Sequence, residues 1–299
     1  MKIAQKKSFK SYPELSVKLG QAAAGKVLTH EEWFDNNGNK VHEKIYSAQG
    51  KPEQDNWYEF DEEGRLVLQR FHFLHEDLQE ETKWIYQNGK LAAKSIHFGF
   101  GEDEEFSYQH DDQDRLLAII RASDQKASED FLYESSRLIR HRIYDEEGNL
   151  QFEHQFSYDE EGRKTEEIRH DFQTGEQIKT CFKHSDKPEP DLEIYHSDSE
   201  LAETLIREYK DQQIIKIIQE YFIPEAEILV TEFSYFSDGK QEGSTMTDSL
   251  GQLLMQTKIE YADHGHPIAE HRNENHPQFG ALSLSTHFEY QFFGAEHES

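Results

Sequence analysis

Seventeen histidines, 60 carboxylates and a single cysteine, Cys181, are the side chains with which this chain of 299 residues could do chemistry. The histidines are densest at His264, His266, His271 and His276, where His264 and His266 flank Gly265. Those two could reach one ion, but no cysteine or histidine pair has zinc-finger spacing, and polar decoration of turns and strands accounts for the same residues. The sequence therefore predicts neither a metal nor a cofactor.

The carboxylates gather in short runs closed by glycine: Asp35-Asn36-Asn37-Gly38, Asp61-Glu62-Glu63-Gly64, Asp145-Glu146-Glu147-Gly148 and Asp159-Glu160-Glu161-Gly162. Clustered oxygens attract calcium, yet the ordered ligand spacing of a calcium loop is missing, and turn chemistry explains the same residues. With 60 acids in the chain, no pair stands out as a general acid and base for glycoside hydrolysis. The chain also lacks a Gly-x-Ser-x-Gly elbow, a phosphate loop and a dinucleotide fingerprint, and Cys181 has no partner motif. Binding is expected, not catalysis.

The elements that must hold these residues are strands. Turn glycines at Gly38, Gly50, Gly64, Gly89, Gly148, Gly162, Gly175, Gly239, Gly251 and Gly265 punctuate aromatic and β-branched runs. Weaker turn signals at Asp77, Gly101, Asp114, Gln125, Ser136, Lys187, Ser199, Gln212, Glu225 and Pro277 fill the gaps. The spacing suits strands of about eight residues joined by tight turns. Leu150, Phe152, His154, Phe156 and Tyr158 alternate with Gln151, Glu153, Gln155 and Ser157, so one face is buried and the other wet.

The predicted fold is all-β, a continuous antiparallel meander of roughly 20 short strands. Accumulated twist must coil such a strip into a superhelical hairpin array. Phe34, Tyr46, Phe60, Tyr144, Tyr158, Tyr235 and Tyr261 each precede a turn glycine by four positions, a spacing that predicts stacking between neighbouring hairpins. Residues 1–30 carry no repeat and read as a lead-in or cap, and 31–299 as the array. Pro188 and Pro190 place a joint at 185–191.

Composition limits the partners. The net charge of −28 repels nucleic acid and anionic lipid and favours a basic protein. The lone cysteine suits a reduced cytoplasm. The basic N-terminus has no apolar run behind it, so neither a secretory signal nor a membrane anchor is expected.

Phe60-Asp61-Glu62-Glu63-Gly64-Arg65, Tyr144-Asp145-Glu146-Glu147-Gly148 and Tyr158-Asp159-Glu160-Glu161-Gly162-Arg163 resemble the YD repeats of RHS-type proteins, with a degenerate match at Tyr261 and Gly265. Tyr86-Gln87-Asn88-Gly89-Lys90 is more weakly similar to the hairpins of MORN-type repeats. The RHS resemblance implies a coiled strip of hairpins, which in that family wraps into shells around toxic cargo. Neither family's repeat motif carries catalytic residues. The expected function is a non-catalytic protein-binding or scaffolding module, in its specific form an acidic immunity protein or chaperone for a basic toxin. Its contact surface would be Asp61, Glu62, Glu63, Asp145, Glu146, Glu147, Asp159, Glu160 and Glu161. The alternative is a carbohydrate-binding or cell-surface repeat protein that uses Trp33, Trp57 and Trp84.

Overall fold

A computed structural model describes residues 2–11, 26–196, 200–223, 226–276 and 280–294. Among them are 22 strands and no helix. The first seven are β1 (Ile3–Ser11), β2 (Val27–Phe34), β3 (Lys40–Tyr46), β4 (Pro52–Phe60), β5 (Leu66–Phe73), β6 (Leu78–Gln87) and β7 (Lys90–Phe98). Next come β8 (Glu104–His110), β9 (Leu116–Arg121), β10 (Ala127–Glu134), β11 (Arg137–Tyr144), β12 (Leu150–Tyr158), β13 (Lys164–Asp171) and β14 (Gln177–Lys183). The last eight are β15 (Asp191–Tyr195), β16 (Leu201–Lys210), β17 (Gln213–Tyr221), β18 (Glu227–Tyr235), β19 (Gln241–Thr247), β20 (Leu253–Tyr261), β21 (Pro267–His276) and β22 (Gly280–Phe292).

The chain forms two compact units. One comprises 1–104, 235–243 and 254–299, and the other 105–234 and 244–253. In the first unit, each of β1 to β6 pairs antiparallel with the next, and β20 pairs so with β21 and β21 with β22. β1 joins the two series by pairing with β22 on its other side. The expected lead-in therefore contains a full ladder strand. Its partner lies at the other end of the sequence, so no local repeat announces it.

In the second unit, β8 to β18 form one unbroken antiparallel meander. Pro188 and Pro190 sit in the loop between β14 and β15, which the Lys183–Asp191 pair closes. Arg207 ties that loop to β16 by donating its Nη1 to Pro190 O at 2.5 Å and its backbone N–H to Asp191 Oδ1 at 2.8 Å. The prolines thus shape a fastened hairpin inside one unit, and the units part elsewhere.

Turn chemistry fixes the connections. Gly64, Gly148, Gly162 and Gly265 have φ of +79°, +88°, +84° and +86°, the region glycine enters without cost. Where glycine is missing, Asp77, Asp114, Gln125, Ser135 and Gln212 take positive φ instead, at or beside the weaker turn signals. The turns expected at Ser199, Glu225 and Pro277 lie outside the described residues.

The core is thin, as alternation on a single sheet requires. Among the described residues only Leu68, Ala202 and Ala269 are buried hydrophobics. On β12 the expected alternation holds only toward the end of the strand: Gln155 and Ser157 are exposed, whereas Gln151 and Glu153 are half-buried like Leu150, Phe152, His154, Phe156 and Tyr158.

Candidate functional site

The acidic motif is first a turn device. Gly64 N donates to Asp61 O at 3.0 Å and Asp61 N to Arg65 O at 2.9 Å, a type I turn with aspartate first and glycine last. Asp61 Oδ1 then accepts from Arg65 N at 2.8 Å and Oδ2 from Arg65 Nε at 2.7 Å. Asp159 repeats both bonds with Arg163, and Asp145 does so with Asn149. Asn149 holds the Asp145 carboxyl below its ordinary value. At Asp61 and Asp159 desolvation pushes upward, but the bonds from Arg65 and Arg163 outweigh it. The aspartates are thus consumed in forming the turn, and Glu62, Glu63, Glu146, Glu147, Glu160 and Glu161 are the exposed members of each run.

Consecutive connections alternate between the two margins of a meander. In the second unit, turn 159–162 follows β12 on one margin, and turn 145–148 precedes β12 on the other. The runs 145–148 and 159–162 therefore do not share a margin, and Asp61, Glu62 and Glu63 belong to the first unit.

The motif aromatics also have a structural task that differs from the expected one. Phe34, Phe60, Tyr86, His110, Tyr133, Tyr158, Phe182, Tyr209, Tyr235 and Tyr261 are all the last residue, or the last but one, of even-numbered strands, 23 to 27 residues apart. The structural repeat is therefore a pair of strands. Immediately before Phe34, Phe60, Tyr86, Tyr133, Tyr158 and Tyr261 the register slips, and such bulges add local twist.

Same-margin aromatics are separated by two strand spacings, roughly 10 Å, which is beyond ring contact. A cation from the intervening strand fills the gap. Arg65 lies 4.5 Å from the Tyr86 ring, Arg115 5.0 Å from Tyr133, Arg137 5.7 Å from Tyr158 and Lys240 5.5 Å from Tyr261. The basic residue after one turn thus packs on the aromatic of the next repeat. Tyr144 sits on the opposite margin, where its hydroxyl donates to Asp130 Oδ2 at 2.6 Å. In a double-mutant cycle, Arg137→Met and Tyr158→Leu should show a coupling of about 0.5–1 kcal/mol in urea unfolding. Strictly additive losses would refute the link.

The C-terminal histidines serve two separate neighbourhoods. His264 and His266 pack with Tyr290 and Phe292, at ring separations of 5.0 Å for His264–Phe292 and 5.3 Å for His266–Tyr290. Desolvation, and then His264, hold the His266 imidazole below its ordinary value. His271 instead meets Ser285 Oγ at 2.9 Å and Glu260 at 3.6 Å. The side chain of His276 lies outside the described residues. No group of three or more potential metal ligands converges among the described residues.

The tryptophans part company. Trp33, His42, Trp57, Arg70, Glu81 and His97 are successive cross-strand partners and so form one row on one face of β2 to β7. Trp33 stacks on His42 at 4.4 Å and His42 on Trp57 at 4.9 Å, while Asp55 Oδ1 lies 2.5 Å from His42 Nε2. Trp57 is 38% exposed. Trp84, three residues beyond Glu81 on β6, is half-buried and projects from the opposite face.

No protein-family model and no curated protein matches the sequence. Among solved structures, the chain is similar to the crystal structure of TcdB2-TccC3-Cdc42, with 10% identity and a TM-score of 0.33 over 95% of this chain and 17% of that one. A Photorhabdus luminescens Tc holotoxin pore is 11% identical, with a TM-score of 0.30, over 83% of this chain and 16% of that one. The chain spans about a sixth of the length of these toxin-complex chains. A porin-like protein from Bacteroides uniformis is 9% identical, with a TM-score of 0.34, over 97% and 96% of the two chains. Scores of this size fall below the level of a shared fold.

Proposed function

We propose that the chain is a non-catalytic binding module that holds a basic protein against one acidic margin of its second unit. The observation that supports this is the sorting of charge. Carboxylates on the strands are matched: Glu32 with Lys6 at 3.0 Å, Asp130 with Arg142 at 2.9 Å, Glu166 with Lys179 at 2.6 Å and Glu193 with Lys183 at 2.8 Å. At the turns the first aspartate is matched too, Asp61 by Arg65 and Asp159 by Arg163, each at 2.7 Å, but other turn carboxylates are left over.

Asp112, Glu134, Glu160, Asp186 and Asp211 lie at five successive connections of the same margin. All five are exposed and have no cationic partner among the described residues. Their turns are spaced roughly 10 Å apart, two strands at a time. An extended row of unneutralised carboxylates on a rigid ladder accelerates association with a basic surface and penalises an acidic one. Of the acidic residues singled out from sequence, only Asp159, Glu160 and Glu161 belong to this margin. Its other members become visible once alternate turns are counted together.

The resemblance to YD-repeat proteins suggests a basic toxin as the partner, with the chain acting as its immunity protein or chaperone. Cys181, free in the fold, suits a reduced cytoplasm. The test is affinity capture from source-cell lysate at low salt. Three charges are reversed in one variant, Glu134→Lys, Glu160→Lys and Asp211→Lys, and two on the other margin in a second, Glu146→Lys and Glu147→Lys. A basic protein should be retained by the native chain, released by salt, lost by the first variant and kept by the second. Equal capture by both variants would sink this assignment of the surface.

A further inference from the structure

The first unit holds a second feature that does not depend on the acidic margin. In the row of Trp33, His42 and Trp57, the His42 ring is covered on both faces and Trp57 on only one. The other face of Trp57 looks along the row toward Arg70, its cross-strand partner on β5. The Arg70 guanidinium does not lie on the indole. It is drawn away by Glu81 Oε2 at 2.6 Å and Glu59 Oε1 at 3.4 Å.

The result is a depression of about 260 Å³ lined by Trp57, Arg70, His72, Gln79, Glu81 and His97. Its volume is near the lower end for small-ligand sites. Gly99, just past β7, lines it as well, and a Cβ there would come within 2.6 Å of Gln79 O.

We propose that this depression binds a neutral saccharide, with one pyranose ring packed on the free face of Trp57. Three properties select that class. The stack already spaces six- and five-membered rings 4.4 Å and 4.9 Å apart, and one more ring extends it without moving a strand. The rim mixes donors with acceptors, since Arg70 donates, Glu81 accepts, Gln79 does both, and His97 presents Nε2 while its Nδ1 meets Asp103 Oδ1 at 2.6 Å, which suits hydroxyls that do both themselves. Arg70 at the next place in the row repels a guanidinium or ammonium ligand from the indole face, while the carboxylates of Glu59, Glu80 and Glu81 disfavour an anion.

The test is titration of tryptophan emission with neutral hexasaccharides of the cello, malto, chito and manno series. At least one series should change the emission, and its affinity should be the same at low and high salt, unlike capture by the acidic margin. Trp57→Ala should weaken binding about tenfold or more, His97→Ala several-fold, and Trp84→Phe on the opposite face not at all. His97 is largely exposed, so its variant reports on the site even where Trp57→Ala disturbs the sheet. Failure of every series to bind the native chain overturns the proposal. So does binding that survives both Trp57→Ala and His97→Ala, or an arginine-rich peptide binding there in place of the saccharides. None of these outcomes bears on the acidic margin, whose test is the lysine variants.

Discussion

Replacing Gly243 by valine should lower the stability of the protein by about 3 kcal/mol or more, with a corresponding fall in the urea midpoint. Gly243 lies in β19 and is buried. A Cβ built there would strike the backbone carbonyl of Thr257 on β20 and would also lie 3.2 Å from Thr257 C. Backbone cannot swing aside as a long side chain can, so the two strands would have to part. The loss has a direct control in Gly64→Ala. At Gly64 nothing lies within 4 Å of the added carbon, but φ is +79°. That substitution should cost only the backbone strain of about 1–2 kcal/mol. Equal losses at the two sites would mean that the close approach of β19 and β20 is not what requires glycine at 243.

Gly243 also marks where sequence reading stops. The turn glycines are legible because an acidic or asparagine-rich run, a glycine and a restarted strand form a local signal. Positions such as Asp114, Gln125 and Gln212, which take positive φ without glycine, can still be inferred from the rhythm. Gly243 and Gly99 sit at ordinary φ, and their need for glycine comes from a neighbouring strand that local sequence does not name.

The aromatic before each turn glycine is legible too, but its partner is not. Turn chemistry looks alike on both margins, so Tyr46 and Tyr144 enter the same list as Phe60 and Tyr158, although they lie on the opposite margin. Only the paired register shows that an aromatic meets the cation of the preceding repeat. The row Trp33, His42, Trp57 and Arg70 is hidden for the same reason, since its members fall together only after three turns have set the alignment of four strands.

Stability should rise as pH falls from 8 to about 5.5, then collapse below about pH 4. Two opposing effects set this maximum. Near neutrality the net charge of −28 makes the fold repel itself. Histidine has an ordinary pKa of about 6.5, so mild acid adds positive charge first. The 17 histidines, once charged, offset more than half of the excess. His30, His266 and His287 work against this gain, because desolvation holds each imidazole below its ordinary value in the fold. Below this range the turn aspartates decide. Asp111, held down first by the Arg115 backbone N–H, has a folded value below its unfolded one, as have Asp61, Asp145 and Asp159. A depressed carboxylate contributes stability that is present above the unfolded value of about 3.9 and lost as pH falls through the folded value. Protonation also undoes the bonds that close the turns, so the loss strikes many hairpins at once. Melting temperatures from pH 8 to 3 check this at two salt concentrations. Salt should flatten the rising limb, because about 0.1 M screens charges more than roughly 10 Å apart, the spacing of turns along a margin. It should leave the acid limb largely in place, because hydrogen bonds within a turn are short-ranged. A melting temperature that falls steadily from pH 8 downward would mean that charge repulsion between the margins is not what limits the fold.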